Sequence, residues 1–394
     1  MFQFASLPPL SLYIHFPWCV QKCPYCDFNS HPLRAELPEE RYVDALLADL
    51  ELDLPRVWGR PVRTVFLGGG TPSLFSPAAI DRLLSGVRAR LPLAADAEIT
   101  LEANPGTVEL ARFRGYRDAS VNRLSIGIQS FDPEQLRVLG RIHGRDEALA
   151  AALAARDAGF DNFNLDLMFG LPGQTPERAL TDVRSALALA PTHLSLYQLT
   201  LEPQTPFHAR PPANLPDDDT LAVMQEMLQG EVAAAGFSQY EVSAYARAGY
   251  ECRHNRNYWQ FGDYLGIGAG AHAKITDALG ITRLWKRKQP QDYLAHAGTP
   301  AAIGEEQRLA PEDAVFEFML NALRLTQGVP ATLFGERTGL DYSRIKKTLA
   351  QAEALGLLDA APAHIRPSVP GRRFLNDLIA LFLPETGSSR ASSR

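Results

Sequence analysis

Cysteine is scarce in this chain, with four residues among 394. A disulfide framework needs a denser set and an oxidising compartment, and no secretory segment is visible. The thiols are therefore expected to be reduced and intracellular. Long apolar runs are missing too. The longest nearly uncharged stretches, Ala148 to Ala155 and Ser185 to Pro191, are short and Ala-rich, well below the roughly 20 apolar residues that span a bilayer. There is no excess of basic charge. A net charge of −6 argues against a nucleic-acid partner, because phosphate binding needs a basic face, although it leaves room for a local patch. The run Gly68-Gly69-Gly70-Thr71-Pro72 lacks the lysine of a phosphate loop, which sets that role aside. With 46% hydrophobic and 21% charged residues, the remainder has the composition of an ordinary globular protein long enough for two domains or more.

What cysteine there is lies close together. Cys19, Cys23 and Cys26 fall within eight residues of the segment Tyr13-Ile-His-Phe-Pro-Trp-Cys19-Val-Gln-Lys-Cys23-Pro-Tyr-Cys26-Asp-Phe28. Thiolates at this spacing can hold three irons of a [4Fe–4S] cluster, and nothing nearby supplies a fourth, so one iron is left open. An open iron can chelate the amino and carboxylate groups of S-adenosylmethionine (SAM), whose sulfonium, once reduced, yields a 5′-deoxyadenosyl radical. The competing explanation is structural zinc. Tetrahedral zinc prefers four ligands and paired C-x2-C knuckles, and only Cys252 could complete such a set. The segment closely resembles the cluster loop of the radical SAM superfamily.

Short apolar runs at Leu12 to His15, Thr64 to Leu67, Glu98 to Ala103, Arg123 to Ile128, Asn162 to Met168 and His193 to Leu199 alternate with helical stretches. Such alternation predicts an α/β architecture of six parallel βα units, a partial (β/α)6 barrel. Ser76-Pro77 and Thr175-Pro176-Glu177 are helix-opening signals for Ala78 to Arg90 and for the run to Leu189. Glycines and polar residues recur at the carboxyl ends of the strands, where ligands of α/β proteins bind. Beyond the sixth strand, proline-rich Glu202 to Pro216 predicts a crossing segment, followed by a helix over Thr220 to Ala235 and the Gly-rich Tyr264 to His272. From Pro311 onward the helix, Gly328-Val-Pro330, helix, Gly339-Leu-Asp341, helix pattern resembles a small winged-helix module. The expected division is a barrel over 1–210, an extension over 211–305, a mostly helical winged-helix-like domain over 306–384 and a disordered tail over 385–394.

Almost the whole chain resembles the oxygen-independent coproporphyrinogen III oxidase family of radical SAM proteins, in particular its haem chaperone branch. The resemblance implies that Cys19, Cys23 and Cys26 ligate the cluster and that Tyr13 packs beside it. It places Gly69, Gly70 and Thr71 against the methionine end of SAM, where a missing side chain allows close approach. Glu102, Gln129, Arg141 and Asp166 match further SAM contacts, with a carboxylate for the ammonium and Arg141 for the carboxylate. Phe28 stands where the decarboxylating oxidase has a further cysteine, and only twelve residues precede Tyr13, where the oxidase has an extended arm. Both departures predict that this chain does not decarboxylate coproporphyrinogen III.

His254-Asn255-Arg256-Asn257-Tyr258-Trp259 matches the HNxxYW motif of the haem chaperone branch. An imidazole can bind haem iron axially and the aromatic pair can line the macrocycle, which makes His254 the expected ligand; Cys252 and His272 are weaker candidates. The function implied is a cytoplasmic haem carrier, peripherally associated with the inner membrane. It would pass haem to apo-proteins, respiratory enzymes among them, and homodimerisation stays open. A radical SAM oxidoreductase acting on a porphyrin is the second function. The third is a DNA-binding regulator using Arg344, Lys346 and Lys347, disfavoured because most such modules inside enzymes only pack.

Overall fold

The computed structural model describes residues 2–106 and 109–384. The expected tail, 385–394, lies outside them. Six strands follow one another in space as in sequence: β1 (Leu10–Phe16), β2 (Val62–Gly69), β3 (Leu93–Ala103), β4 (Arg123–Gln129), β5 (Phe163–Phe169) and β6 (His193–Gln198). Each pairs in parallel with the next. Their interiors are buried along almost every residue, as expected of strands covered on both faces.

Two of the covering helices, those opened by Ser76-Pro77 and Thr175-Pro176, start where the sequence signals placed them. Helix α1 spans Glu39–Asp53 and α2 spans Pro77–Arg90, where Ser76 Oγ accepts from Ala79 N and Pro77 fills the first turn. Helices α3 (Glu109–Asp118), α4 (Arg145–Asp157) and α5 (Pro176–Ala188) follow, the last capped by Thr175. Helix α6 runs over Asp218–Ala234 with Asp217 accepting from Thr220 N. Within the proline-rich crossing segment, Pro206–Ala209 forms a single helical turn capped by Thr205, a local structure that the proline count obscured.

Residues 211–305 extend the same sheet on both sides. Among the described residues it has twelve strands. On one edge β7 (Ser238–Gln239) pairs with β8 (Ala244–Ala246), which runs antiparallel to β6. On the other, β9 (Asp263–Ile267) lies parallel to β1 and leads through β10 (His272–Asp277) and β11 (Gly280–Lys286) to β12 (Ile303–Arg308). The Gly-rich stretch thus carries one strand and the start of the next. A fully buried ion cluster locks this extension to the first helix: Lys286 Nζ is 2.6 Å from Asp49 and 2.7 Å from Asp53 of α1. Met224, Val232, Tyr245, Leu265 and Ile267 share one hydrophobic core with the six-stranded part.

A second hydrophobic cluster, including Phe318, Phe334, Ile345, Leu349 and Phe382, gathers the C-terminal helices. Pro311–Ala322, Thr332–Thr338 and Ser343–Ala354 are helical, and Val329–Pro330 pairs with His364–Ile365 in a two-stranded antiparallel ribbon. Gly339, with φ of 66°, ends the middle helix in the left-handed conformation. Among the described residues no helix is long and apolar enough to cross a membrane.

Candidate cofactor and ligand site

The expected ligand shell assembles at the carboxyl ends of β1 to β5. The loop after β1 holds Cys19, Cys23 and Cys26, all free and part-buried. It is pinned at both ends: Trp18–Cys19 pairs with His31–Pro32, and Thr71 N donates to Trp18 O at 2.8 Å. Burial raises the Cys19 and Cys26 thiols above their ordinary pKa, opposed by hydrogen bonding to Thr71 and Ser30 respectively. Binding metal would therefore have to drive out their protons. Cys252 stands apart. Its thiol is buried 3.7 Å from Glu98 Oε1, and Glu98 precedes Glu102 by four residues of β3, about 13 Å of strand.

Gly69 and Gly70 form a cradle. Gly69 has φ of 110°, and a Cβ there would meet the His15 ring at 2.5 Å; a Cβ on Gly70 would meet Trp18 O at 2.5 Å. No other residue type fits this turn without displacing the cysteine loop. Gly69 N donates to Glu102 Oε2 at 3.0 Å. Burial, with the charge of Asp166 second, pushes Glu102 up to about 8. Asp166 is raised as well, chiefly by burial, although it accepts from Asn164 Nδ2 at 2.8 Å and Ser125 Oγ at 3.1 Å. Two neighbouring carboxyls held above their ordinary range are suited to a cationic ligand, which would draw them back to the charged form.

Thr71 and Arg141 meet around Asn104. Asn104 Nδ2 donates to Thr71 Oγ1 at 2.8 Å, and Arg141 Nη2 donates to Asn104 Oδ1 at 2.6 Å and Gly127 O at 2.8 Å. Arg141 Nη1 lies 3.7 Å from Cys23 Sγ, and its buried Nε has no protein partner among the described residues. Gln129 ends β4 with φ of 68°, a strained conformation that turns the chain at the site. Thr71, Asn104 and Arg141 face a small cavity of about 170 Å3 beside Cys23. Asn104, which follows the end of β3 and was outside the expected set, joins the shell through its hydrogen bonds.

A larger cavity, about 670 Å3, opens on the other side of the cysteine loop. Tyr13, Phe28, Gly69 and Glu102 reach it from the shell, and Tyr258, Trp259 and Tyr264 wall it. Phe28 is 59% exposed and so presents its ring to this space rather than to the core. The helix Arg253–Trp259 (α7) places the His254 motif. His254 itself is buried and does not line the cavity. Thr64 Oγ1 spends its proton on Ser11 Oγ, so His254 Nδ1 donates to Thr64 at 2.8 Å and Nε2 accepts from the Tyr258 hydroxyl at 3.0 Å. Burial, reinforced by Arg123, lowers its pKa to about 3 and keeps the ring neutral. Its hydrogen bonding sets the position of the Tyr258 ring at the cavity wall; direct coordination by Nε2 would require that bond to open.

Three residues outside the expected set complete the picture. His15 Nε2 donates to Asn29 O at 2.8 Å while Nδ1 accepts from the Tyr13 hydroxyl at 3.0 Å. Asn29 Nδ2 donates to Ala269 O and Lys288 O, each at 2.9 Å, tying the end of the cysteine loop to the sheet extension. Lys288 itself lines the larger cavity. Nothing local in the sequence marks the roles of Asn29 and Lys288, which arise from contacts between segments 240 and 259 residues apart.

Residues 13–186 match the model of the radical SAM superfamily, and residues 309–374 match the HemN C-terminal domain. The chain is 54% identical over 383 residues to the haem chaperone HemW of Escherichia coli (strain K12), covering 97% of this chain and all of that protein. It is 49% identical to the protein of the same name from Haemophilus influenzae, covering 96% and 99% of the two chains, and 33% identical to that of Bacillus subtilis, covering 95% and 99%. Among solved structures, coproporphyrinogen III oxidase (HemN) from Escherichia coli, described as a radical SAM enzyme, superposes with a TM-score of 0.80. Its identity is 25%, with 95% of this chain and 90% of that one covered.

Proposed function

The chain belongs to the HemW family of haem chaperones within the radical SAM superfamily, and on that premise we propose that it carries haem in the 670 Å3 cavity and passes it to apo-proteins that require it. The observation that carries the proposal is the cavity itself. It has the size of a small-molecule site, is walled by the Tyr258 and Trp259 rings of the chaperone motif, and opens beside the cysteine loop. Flat aromatic walls suit a flat apolar macrocycle, and an open mouth suits a cargo that must leave again.

The residues present fit a resident cluster and SAM. Cys19, Cys23 and Cys26 would hold the cluster, and the unpartnered Arg141 Nε and the Gly69-Gly70 cradle are in place for an organic ligand. When bound, these groups supply a reducible iron site with one open coordination position for SAM. The chain's own contributions are positioning and proton control. Gly69 and Gly70 admit close approach, Glu102 gives up its proton to receive an ammonium, Arg141 receives a carboxylate, and Asp166, Gln129 and Thr71 complete the enclosure. Tyr13 spans both sites, since it lines the large cavity and holds His15 against the loop.

Asn29 gives this arrangement a means of control. A change in the cysteine loop would be passed through its two hydrogen bonds to Lys288, which lines the large cavity, and to Ala269, which precedes the lining Gly270, so that cofactor state would govern loading or release. Respiratory apo-enzymes are the proposed clients, met from the cytoplasmic side of the inner membrane. The test is anaerobic titration of the reconstituted chain with ferric haem, followed by mixing with an apo-acceptor. Saturable binding of one haem per chain and its transfer support the proposal; conversion of a porphyrin substrate with multiple SAM turnovers would replace it with the oxidoreductase reading.

A further inference from the structure

We propose that His272 is the axial ligand of the carried haem iron and that Lys22 and Lys288 receive its propionates. This rests on the carrier role proposed above and specifies how its cavity binds. Iron needs a nitrogen lone pair that is free and faces the cargo. Two histidines line the large cavity, His15 and His272. Both ring nitrogens of His15 are engaged, by Tyr13 and Asn29. His254, adjacent to the wall, has its accepting nitrogen occupied by Tyr258. His272 is different. It begins β10, its side chain is exposed, and among the described residues neither ring nitrogen has a hydrogen-bond partner.

The ring of His272 is nevertheless oriented. It stacks on Trp285, with centroids 5.7 Å apart and planes 24° apart, so an imidazole edge is presented with little rotational freedom to lose. Partial desolvation by the surrounding cavity wall, with the positive charges of Arg283 and Lys288, lowers its pKa, which keeps the lone pair available at neutral pH. Coordination would replace an axial water of ferric haem by imidazole, with no change in oxidation state.

The cations around the cavity sort into two kinds. Lys274 is paired with Asp263 at 2.9 Å and Arg283 with Glu317 at 2.8 Å. Lys22 donates only to Phe28 O, and Lys288 has no ion pair among the described residues. Both of these lysines line the cavity without an ion pair, in a wall that also carries Asp27 and Glu102, and the backbone of Lys288 is tied to the Phe28-Asn29 segment by the Asn29 amide. Two carboxylates of one macrocycle would find two ammonium groups without ion pairs and an iron ligand in the lining of one cavity.

The test compares ferric haem with metal-free protoporphyrin IX on full-length wild type, His272→Ala, His254→Ala and Lys288→Glu. His272→Ala should shift the Soret band, weaken ferric haem at least tenfold, leave metal-free porphyrin binding unchanged, and regain the wild-type spectrum with added imidazole. Lys288→Glu should weaken both porphyrins. His254→Ala should keep the wild-type Soret position even where affinity falls. An unchanged spectrum and affinity in His272→Ala, with wild type binding normally, overturns the ligand assignment alone. If wild type binds neither porphyrin saturably, the carrier function falls and the assignment with it.

Discussion

Asn29 and Lys288 are joined by a 2.9 Å hydrogen bond from the Asn29 amide to the Lys288 carbonyl, across 259 residues of sequence. With the parallel bond to Ala269 O, it fastens the end of the cysteine loop to the wall of the large cavity. Asn29→Ala removes both donors and leaves two carbonyls to find other partners, a cost of about 1–3 kcal/mol. Its expected signature is functional. Haem affinity in wild type should differ between cluster-free and cluster-loaded protein, and in Asn29→Ala that difference should shrink severalfold, as read by paired Soret titrations.

Cys19→Ser, Cys23→Ser and Cys26→Ser should each abolish the cluster, whereas Cys252→Ser should retain close to four irons and four sulfides per chain. The Cys252 thiol is buried against Glu98 on the far part of β3, away from the loop. Iron and sulfide analysis after anaerobic reconstitution checks this. Cluster loss on changing Cys252 would contradict the division between the two thiol sites.

Glu102 makes stability and SAM binding depend on pH in opposite senses. Its folded pKa of about 8 lies above the ordinary 4.5, so the stability it contributes is full below pH 4.5 and is lost as pH rises through about 8. Glu102→Gln should therefore melt about 2 °C higher than wild type at pH 9 and show no gain at pH 4. In the same variant the response of the reduced cluster's electron paramagnetic resonance spectrum to SAM should weaken, because an amide cannot take the ammonium as a carboxylate does. Wild-type SAM affinity should rise between pH 6 and pH 9. A variant less stable than wild type at pH 9 would contradict the burial argument.

Phe28 predicts the outcome of a direct enzymatic assay. With phenylalanine at the mouth of the large cavity, where the resemblance placed an extra cysteine in the oxidase, coproporphyrinogen III should not be decarboxylated. Product analysis with a strong reductant, excess SAM and a control oxidase checks it. Catalytic formation of protoporphyrinogen would overturn the expectation.

The six parallel strands were legible because each is a short apolar run, most with glycine or proline beside an end, and the observed limits lie within five residues of the expected ones. The strands from Asp263 to Arg308 were not. Tyr264 to His272 contains three glycines and reads as a loop, and its strand is specified by pairing with β1 instead of by local propensity. That Cys19, Glu102 and Asp166 would come near one another was expected from the family resemblance, and the parallel strand order puts them on neighbouring segments: Cys19 just after β1, Glu102 near the end of β3 and Asp166 within β5. His254 shows the limit of a motif. One nitrogen is engaged by Tyr258 of the same motif, but the other meets Thr64 of β2, whose own bond to Ser11 of β1 sets the direction of that contact. His15 and Asn29 carried no local signal at all.

The measurement that bears most directly on the haem carrier function is transfer from the loaded chain. Full-length protein holding one equivalent of ferric haem is mixed with apomyoglobin, and the Soret spectrum is followed with and without the reconstituted cluster and SAM. The account predicts saturable one-to-one loading, complete transfer to the acceptor, and a transfer rate that depends on cofactor state. Absence of saturable loading, or haem retained against excess acceptor under every cofactor condition, would contradict it.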